Sequence, residues 1–339
     1  MAGKPRQSGT LVLVMRNIAV IGLGLIGGSV ALALRRAWPD ANITAFDRDE
    51  SQLDLALRAG AIDAAATGFE AIEGADLLLI SVPVAQAEAI FGAVAPYLGA
   101  NTVLTDVGST KQSVIAAART QLGASVAQFV PGHPIAGREH AGFSAAASEL
   151  FEGKNVVLTP LRENAPADVD KVRLLWRACG ANVVEMSAEA HDSVFAAVSH
   201  LPHLLAFALV DELAQRANAK TLFSFAASGF RDFTRIASSS PEMWRDIAMN
   251  NRDALVREFD RYLRHAHALR DAVAAGDAAR IESLMSHARE ARNQWLAGQF
   301  DFFNDGERRQ EVPAALPVVP SSADAMPHGG GPEDRKEDQ

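Results

Sequence analysis

Asn17-Ile-Ala-Val-Ile-Gly22-Leu-Gly24-Leu-Ile-Gly27-Gly-Ser-Val-Ala-Leu-Ala-Leu-Arg-Arg36 passes from an apolar run through a glycine-rich turn into a helix-like run. A second strand-like run, Asn42-Ile-Thr-Ala-Phe-Asp47, follows and ends on an acid. Strand, G-x-G-x-x-G, helix, strand and an acid about 20 residues beyond the last glycine form the complete setting of a dinucleotide fingerprint. Gly22 permits the tight turn, Gly24 lets backbone approach a pyrophosphate, and Gly27 lets helix pack on strand. The first helical amides, from Leu25 and Ile26 on, then face the phosphates. Asp47 is placed to accept from both ribose hydroxyls and to repel a 2′-phosphate, which favours NAD over NADP. Arg48 either lies on the adenine or softens that discrimination.

The alternation continues outward from this unit. Ala75 to Val82 reads as a strand ending in Ser81-Val82-Pro83, with a helix from about Gln86 to Ala95. Asn101 to Asp106 reads as the next strand and leads into Val-Gly108-Ser109-Thr110-Lys111 and another helix. Strand ends of a doubly wound sheet line the ligand crevice, so Ser81, with Val82 beside it, Asp106, Ser109 and, further on, His133 are expected along one edge. Ser109 and Thr110 also suit a helix N-cap, and the two roles are compatible. Asn155–Thr159 and Asn182–Glu185 flank a helix near 167–179 and are expected to complete that sheet.

Val130-Pro-Gly-His133-Pro-Ile-Ala-Gly137-Arg-Glu139 interrupts this alternation with two prolines and two glycines. Such a segment argues against helix or central strand and for a stiff loop. It follows the apolar run Val126 to Val130, so His133 is expected at a strand end. Taken alone it reads better as a surface turn with an incidental histidine. The dinucleotide unit before it and the Arg/His-rich segments after it favour a functional place.

After Met186 strand signals stop, and helix-period stretches run from Ala188 to about Gln299. In Ser199-His200-Leu-Pro202-His203, Pro202 predicts a kink, and His200 and His203 share a face by their i, i+3 spacing. They read as core histidines, a metal pair or ligand contacts; no carboxylate or cysteine at a tight motif spacing supports metal. Gly229-Phe-Arg231-Asp232-Phe-Thr-Arg235-Ile places two arginines one turn apart among apolar residues, with Asp232 at i, i+3 from Arg235. Ser240-Pro241-Glu, just before Trp244, reads as an N-cap with proline at the first helical position.

The bulk numbers narrow the function. With 339 residues the chain has room for two cores, and 32 Lys+Arg against 41 Asp+Glu leave no footprint for nucleic acid or an anionic membrane. One cysteine, Cys179, excludes an intrachain disulfide and fits a reducing compartment, which points to the cytoplasm. Arg-Ala-Cys179-Gly180 reads as a helix end closed by glycine. No run of 18 apolar residues stands out, and Leu11–Met15 is too short for a signal-peptide core. The organisation expected is an extension over 1–15, an NAD-binding Rossmann domain over 16–187, an all-α domain over 188–306 and a polar, disordered tail over 307–339.

Five stretches, in order, resemble the prephenate/arogenate (cyclohexadienyl) dehydrogenase family of tyrosine biosynthesis. They are Gly-Leu-Gly-Leu-Ile-Gly-Gly-Ser29, Asp-Val-Gly-Ser109-Thr-Lys, Gly-His133-Pro-Ile-Ala-Gly, Ser-His200-Leu-Pro-His203 and Gly-Phe-Arg-Asp232-Phe-Thr-Arg235-Ile-Ala. The resemblance implies NAD-dependent oxidative decarboxylation of prephenate or arogenate, and a homodimer intertwined through the helical domain. It implies His133 as the group that takes the ring hydroxyl's proton and Ser109 as its hydrogen-bonding partner. Arg235 would hold a substrate carboxylate, with Asp232 and Glu139 in the charge network around it. His203, braced by His200, would contact substrate, and Trp244 would form part of the wall. No metal is implied. Competing readings are a β-hydroxyacid dehydrogenase, whose helical-domain lysine is replaced here by histidines, and a non-catalytic NAD-sensing protein.

Overall fold

The computed structural model describes residues 15–138 and 140–298. Five strands form the first sheet: β1 (Asn17–Ile21), β2 (Asn42–Phe46), β3 (Ala64–Ala65), β4 (Leu77–Ile80) and β5 (Val103–Asp106). They are all parallel, in the order β3-β2-β1-β4-β5 that builds a dinucleotide crevice between its two halves. Both faces are buried, and the strand period of two sorts the side chains. Ile18, Val20, Leu77 and Leu79 enter one core; Ala19, Ile21, Leu78 and Ile80 enter the other. Helices α1 (Leu25–Ala37), α2 (Glu50–Arg58), α3 (Ala87–Val94) and α4 (Gln112–Leu122) connect the strands.

Three expectations change here. The later strands do not extend this sheet. β6 (Gly132–Pro134), β7 (Asn155–Leu158) and β8 (Asn182–Glu185) form a second sheet, with α5 (Pro166–Ala178) between the last two. A single parallel bridge, Leu104 to Phe129, connects the chain leading into it with β5. His133 is not at the end of a strand but in the middle of one. Pro134 is tolerated because β6 is an edge strand, paired only with β7 and antiparallel to it. Met15, placed above in the extension, is buried in the core beside Ile18.

α5 ends at Cys179, and Gly180 follows with φ +83°, the glycine closure expected there. Burial pushes the Cys179 thiol up to about 12, which leaves it inert.

The helical region begins with α6 (Ala188–Phe195), capped by the Ser187 hydroxyl accepting from the Ala190 amide. A π-helical turn over Ala196–His200 passes into α7 (Leu201–Ala214), in which Pro202 sits at the first turn. The kink expected from Pro202 therefore takes the form of one wide turn before it, where the missing N–H does no harm. Then follow α8 (Ala219–Ser224), α9 (Ser228–Thr234), α10 (Pro241–Asn250), α11 (Arg252–Ala274) and α12 (Ala278–Leu296). The Ser240 hydroxyl accepts from the Met243 amide, the predicted cap. By compactness the chain divides into residues 1–281 and 282–339. The second unit contributes most of α12 to the described residues; the tail over 307–339 lies outside them.

Contrary to the sequence expectation, the continuous run Ala188–Ala214 has the length and mean hydropathy of a membrane span. It carries His191, Asp192, His200 and His203, and the first three are buried against polar partners.

Candidate active site

The glycine turn forms the floor of a cleft of about 750 Å³, the size of a small-molecule site. Gly22 has φ +92°, and a Cβ there would lie 2.2 Å from the Ser81 carbonyl oxygen. A Cβ on Gly27 would lie 1.9 Å from the Gly22 carbonyl oxygen, so helix and strand touch only through glycine. At Gly24 a Cβ would meet nothing within 4 Å: this side is open. α1 starts there with no side-chain cap and no acid in its first turn, leaving amides for an anion.

Asp47 stands at the end of β2 and accepts from the amides of Leu23 (2.6 Å) and Asp49 (2.9 Å). Those bonds fix its carboxylate at the cleft, where Arg48, Ser81 and Val82 also lie. This arrangement suits NAD: a tight turn, an open approach for pyrophosphate and a fixed acid for ribose. Leu25 and Ile26 are half-buried and pack against the core instead of lining the cleft.

Asp106 departs from expectation. It is buried, and both carboxylate oxygens are engaged within the protein. Oδ1 accepts from the Gly132 amide at 3.0 Å; Oδ2 accepts from the Gly108 amide at 2.8 Å and from Lys111 Nζ at 2.6 Å. Lys111 Nζ also donates to the Gly132 carbonyl at 2.6 Å. Asp106 is therefore not a cofactor contact but one half of a buried ion pair that fixes β6 to the end of β5. Gly132 makes that approach possible, since a Cβ would lie 3.0 Å from the Asp106 carbonyl oxygen. Burial lowers the Lys111 pKa, and Asp106 opposes that shift.

His133, the residue after Gly132, is 9% exposed. Its Nδ1 lies 2.8 Å from His191 Nε2, and its ring packs edge-on against Phe195 at 4.9 Å. His191 Nδ1 lies 2.8 Å from Asp192 Oδ1. Asp192 in turn accepts from the amides of Lys111 (2.8 Å) and Gln112 (2.9 Å), the first amides of α4. Ser109 and Thr110 therefore do not cap that helix; an acid 80 residues away does so. Ser109 is half-buried on the loop before α4, and Thr110 Oγ1 pairs with Ser113 Oγ at 2.9 Å.

His200 is buried in the π-helical turn. Its Nδ1 is 3.1 Å from Asn251 Nδ2, while Nε2 makes no hydrogen bond of normal geometry among the described residues, although the Ser109 backbone lies near it. Burial and His191 bring its pKa down to about 4, against the pull of Asp192. His203 stacks on Trp244 with ring centres 3.7 Å apart, and its Nδ1 lies 2.8 Å from the Ser199 carbonyl oxygen. Trp244 is buried, with Nε1 lacking a partner among the described residues. Arg235, exposed at the end of α9, is close enough to depress the His203 pKa behind burial. Asp232 is exposed on α9, and Glu139 lies outside the described residues. Among the described residues no group of three His, Cys, Asp or Glu is placed to hold a metal ion.

Profiles of the prephenate dehydrogenase nucleotide-binding domain and dimerization domain match residues 30–185 and 187–287. The chain belongs to the prephenate dehydrogenase family. A prephenate dehydrogenase of Bacillus subtilis is 39% identical over 280 residues, 82% of this chain and 75% of its own length. A cyclohexadienyl dehydrogenase of Zymomonas mobilis is 34% identical over 291 residues, 85% and 98% of the two chains. The prephenate dehydrogenase of A. aeolicus, solved with hydroxyphenyl propionate and NAD+, superposes with a TM-score of 0.79 at 33% identity, covering 84% of this chain and 99% of that one. This family member is thus an NAD-dependent oxidoreductase acting on prephenate or arogenate, and the β-hydroxyacid dehydrogenase and NAD-sensor readings fall away.

Lys111, His191, Asp192 and Asn251 do not stand out in the sequence as site residues. For His191-Asp192 a signal exists: an adjacent His-Asp pair near the start of the mostly apolar run Ala188–Ala214, with Phe195 one turn on. Lys111 belongs to a recognisable motif, but nothing in the sequence shows a lysine to be buried.

Proposed function

We propose that His133 takes the ring hydroxyl's proton from prephenate or arogenate while Arg235 holds a substrate carboxylate. The observation that carries this reading is the seating of His133: a buried imidazole built into the sheet edge that Asp106 and Lys111 tie to the end of β5. Bound NAD+ supplies the hydride acceptor. Hydride leaves the hydroxyl-bearing ring carbon with its C–H pair, and CO2 leaves the opposite carbon, its bond pair completing the aromatic ring. The product is a phenol carrying one hydroxyl proton, as the substrate did, so the proton lent to His133 returns to the same oxygen. A group that removes and then restores a proton must be neutral at the start. Burial first, then the charges of His191, Lys111 and His200, hold His133 well below the ordinary histidine value and keep it neutral.

Ser109 shares the hydroxyl's hydrogen bond in this reading. His203 and Trp244 form the wall beside the ring, His200 braces them, and Asp232 and Glu139 belong to the charge network of Arg235. The helical region is proposed to pair two copies of the chain, and the domains to run over 16–187 and 188–306. NADH absorbance with NAD+ and prephenate, then arogenate, tests the activity, and competition between the two substrates in one assay assigns the preference. NAD+ binding without turnover of either substrate would overturn the reading.

A further inference from the structure

We propose that His191 and Asp192 are positioning residues that set the tautomer of His133, leaving the lone pair of Nε2 for the substrate hydroxyl. The inference rests on the role proposed for His133 and goes beyond it by fixing which nitrogen acts.

The direction of each hydrogen bond follows from the end of the chain. Asp192 is 1% exposed, yet its carboxylate is held below the ordinary value. Burial pushes it up, but hydrogen bonds from His191 and from the Lys111 and Gln112 amides outweigh that. An ionised carboxylate only accepts. His191 Nδ1, 2.8 Å from Asp192 Oδ1, must therefore carry its proton and donate. His191 is itself pushed down by burial, with Asp192 opposing, so the ring is neutral and has one proton to place. Its Nε2 is then a lone pair.

That lone pair lies 2.8 Å from His133 Nδ1, so His133 Nδ1 is the donor. The neutral His133 ring has no further proton, and Nε2, at its far edge, is the basic atom. The opposite assignment would put the lone pair of His191 Nδ1 against a carboxylate oxygen at 2.8 Å, two acceptors with no proton between them, inside a buried site. Sequence distance is no obstacle. β6 brings His133, α6 brings the dyad, and Asp192 reaches the amides of Lys111 and Gln112 at the start of α4.

The same chain serves the loaded state. When Nε2 holds the borrowed proton, His133 is an imidazolium in a site that disfavours charge: Lys111, His191 and His200 are near it, and the Phe195 ring packs edge-on to it. The negative groups within this cluster are Asp106, already paired with Lys111, and Asp192, which His133 reaches only through His191. Aligned Nδ1–H bonds toward Asp192 offset that charge for the lifetime of the intermediate. A misset tautomer costs about 10⁴ in kcat in hydrolytic triads built on the same logic.

The deciding measurement uses the intact enzyme: 15N NMR of the histidine rings, with His133 assigned by loss of its signals in His133→Asn. The expected spectrum has His133 protonated at Nδ1 and bare at Nε2; protonation at Nε2 overturns the proposal, independently of any rate measurement. Kinetics supply the second test. His191→Leu should lower kcat by roughly 10²-fold, with the KM values for NAD+ and prephenate changed by no more than about threefold. His191→Gln, whose amide oxygen can accept from Nδ1–H, should recover much of that loss; a purely structural role predicts no such rescue. Asp192→Asn should lower kcat and move the acidic limb of the pH–rate profile. Near-normal kcat in His191→Leu beside an inactive His133→Asn would sink the tautomer relay while sparing the base. An active His133→Asn would sink the base itself.

Discussion

His133 and Asp47 are where single atoms decide the outcome. His133→Asn should cut kcat by roughly 10²–10⁴-fold with little change in apparent substrate binding, because it removes a proton acceptor that acts only as the reaction proceeds. Since the neutral ring is the working form and its pKa is depressed below 6.5, the wild-type rate should persist through neutral pH and fall only at more acid values. The variant should lack that acidic limb, and a pH–rate profile retaining it would transfer the role to His200 or His203. Arg235→Gln should instead act mainly on KM, since a carboxylate anchor is present in substrate and transition state alike. Asp47 concerns the cofactor. Its carboxylate is fixed by two backbone amides at the cleft, so Asp47→Ser should weaken NAD+ and improve NADP+. Faster wild-type turnover with NADP+ at equal subsaturating concentration would refute that assignment.

Among the elements, the joint between β5 and β6 matters most, because the position of His133 depends on it. Lys111 is fully buried and satisfies both the Asp106 carboxylate and the Gly132 carbonyl. Lys111→Met keeps the bulk but leaves Asp106 buried without its counter-charge, a loss expected at about 3–5 kcal/mol. Denaturant titration should register that, and an unchanged midpoint would mean that water replaces the ammonium. The π-helical turn Ala196–His200 is the second such joint, since it lets one helical run present His191, His200 and His203. The Ser240 cap on α10, the helix that carries Trp244, is more ordinary, and Ser240→Ala should cost about 1 kcal/mol.

For the molecule as a whole, burial of neutral histidines makes stability depend on pH. His133, His191 and His200 all titrate lower in the folded protein than the ordinary 6.5, and His200 reaches about 4. Below pH 6.5 the unfolded chain takes up protons that the folded chain refuses, so stability falls with falling pH until the folded-state values are reached. The thermal midpoint should therefore decline between about pH 6.5 and 4, and less steeply in His200→Gln. The large exposed apolar side chains point to association. Apart from Leu57, all of those among the described residues lie at or beyond Val194, including Val198, Phe225 and Met249. Sedimentation should find a dimer, and Val198→Glu should weaken it if the face of α6 and the π turn is part of that interface.

What could be read directly from the sequence was local in its physics. A glycine that must turn at positive φ, a strand buried on both faces and an acid one strand beyond the turn lie within about thirty residues, and together they identified the first sheet and its cleft. The Ser240 cap and the Gly180 closure were legible for the same reason. Features that depend on distant segments meeting were not. Asp106 has the position of a cofactor ligand until Lys111 and Gly132 close on it. The start of α4 has two hydroxyl residues suited to capping it until Asp192 arrives from 80 residues away. His133 in isolation is a histidine in a proline-rich turn. Only the packing of α6 against β6 gives it a partner, and a hydrogen bond between rings 58 residues apart has no periodicity by which sequence could announce it.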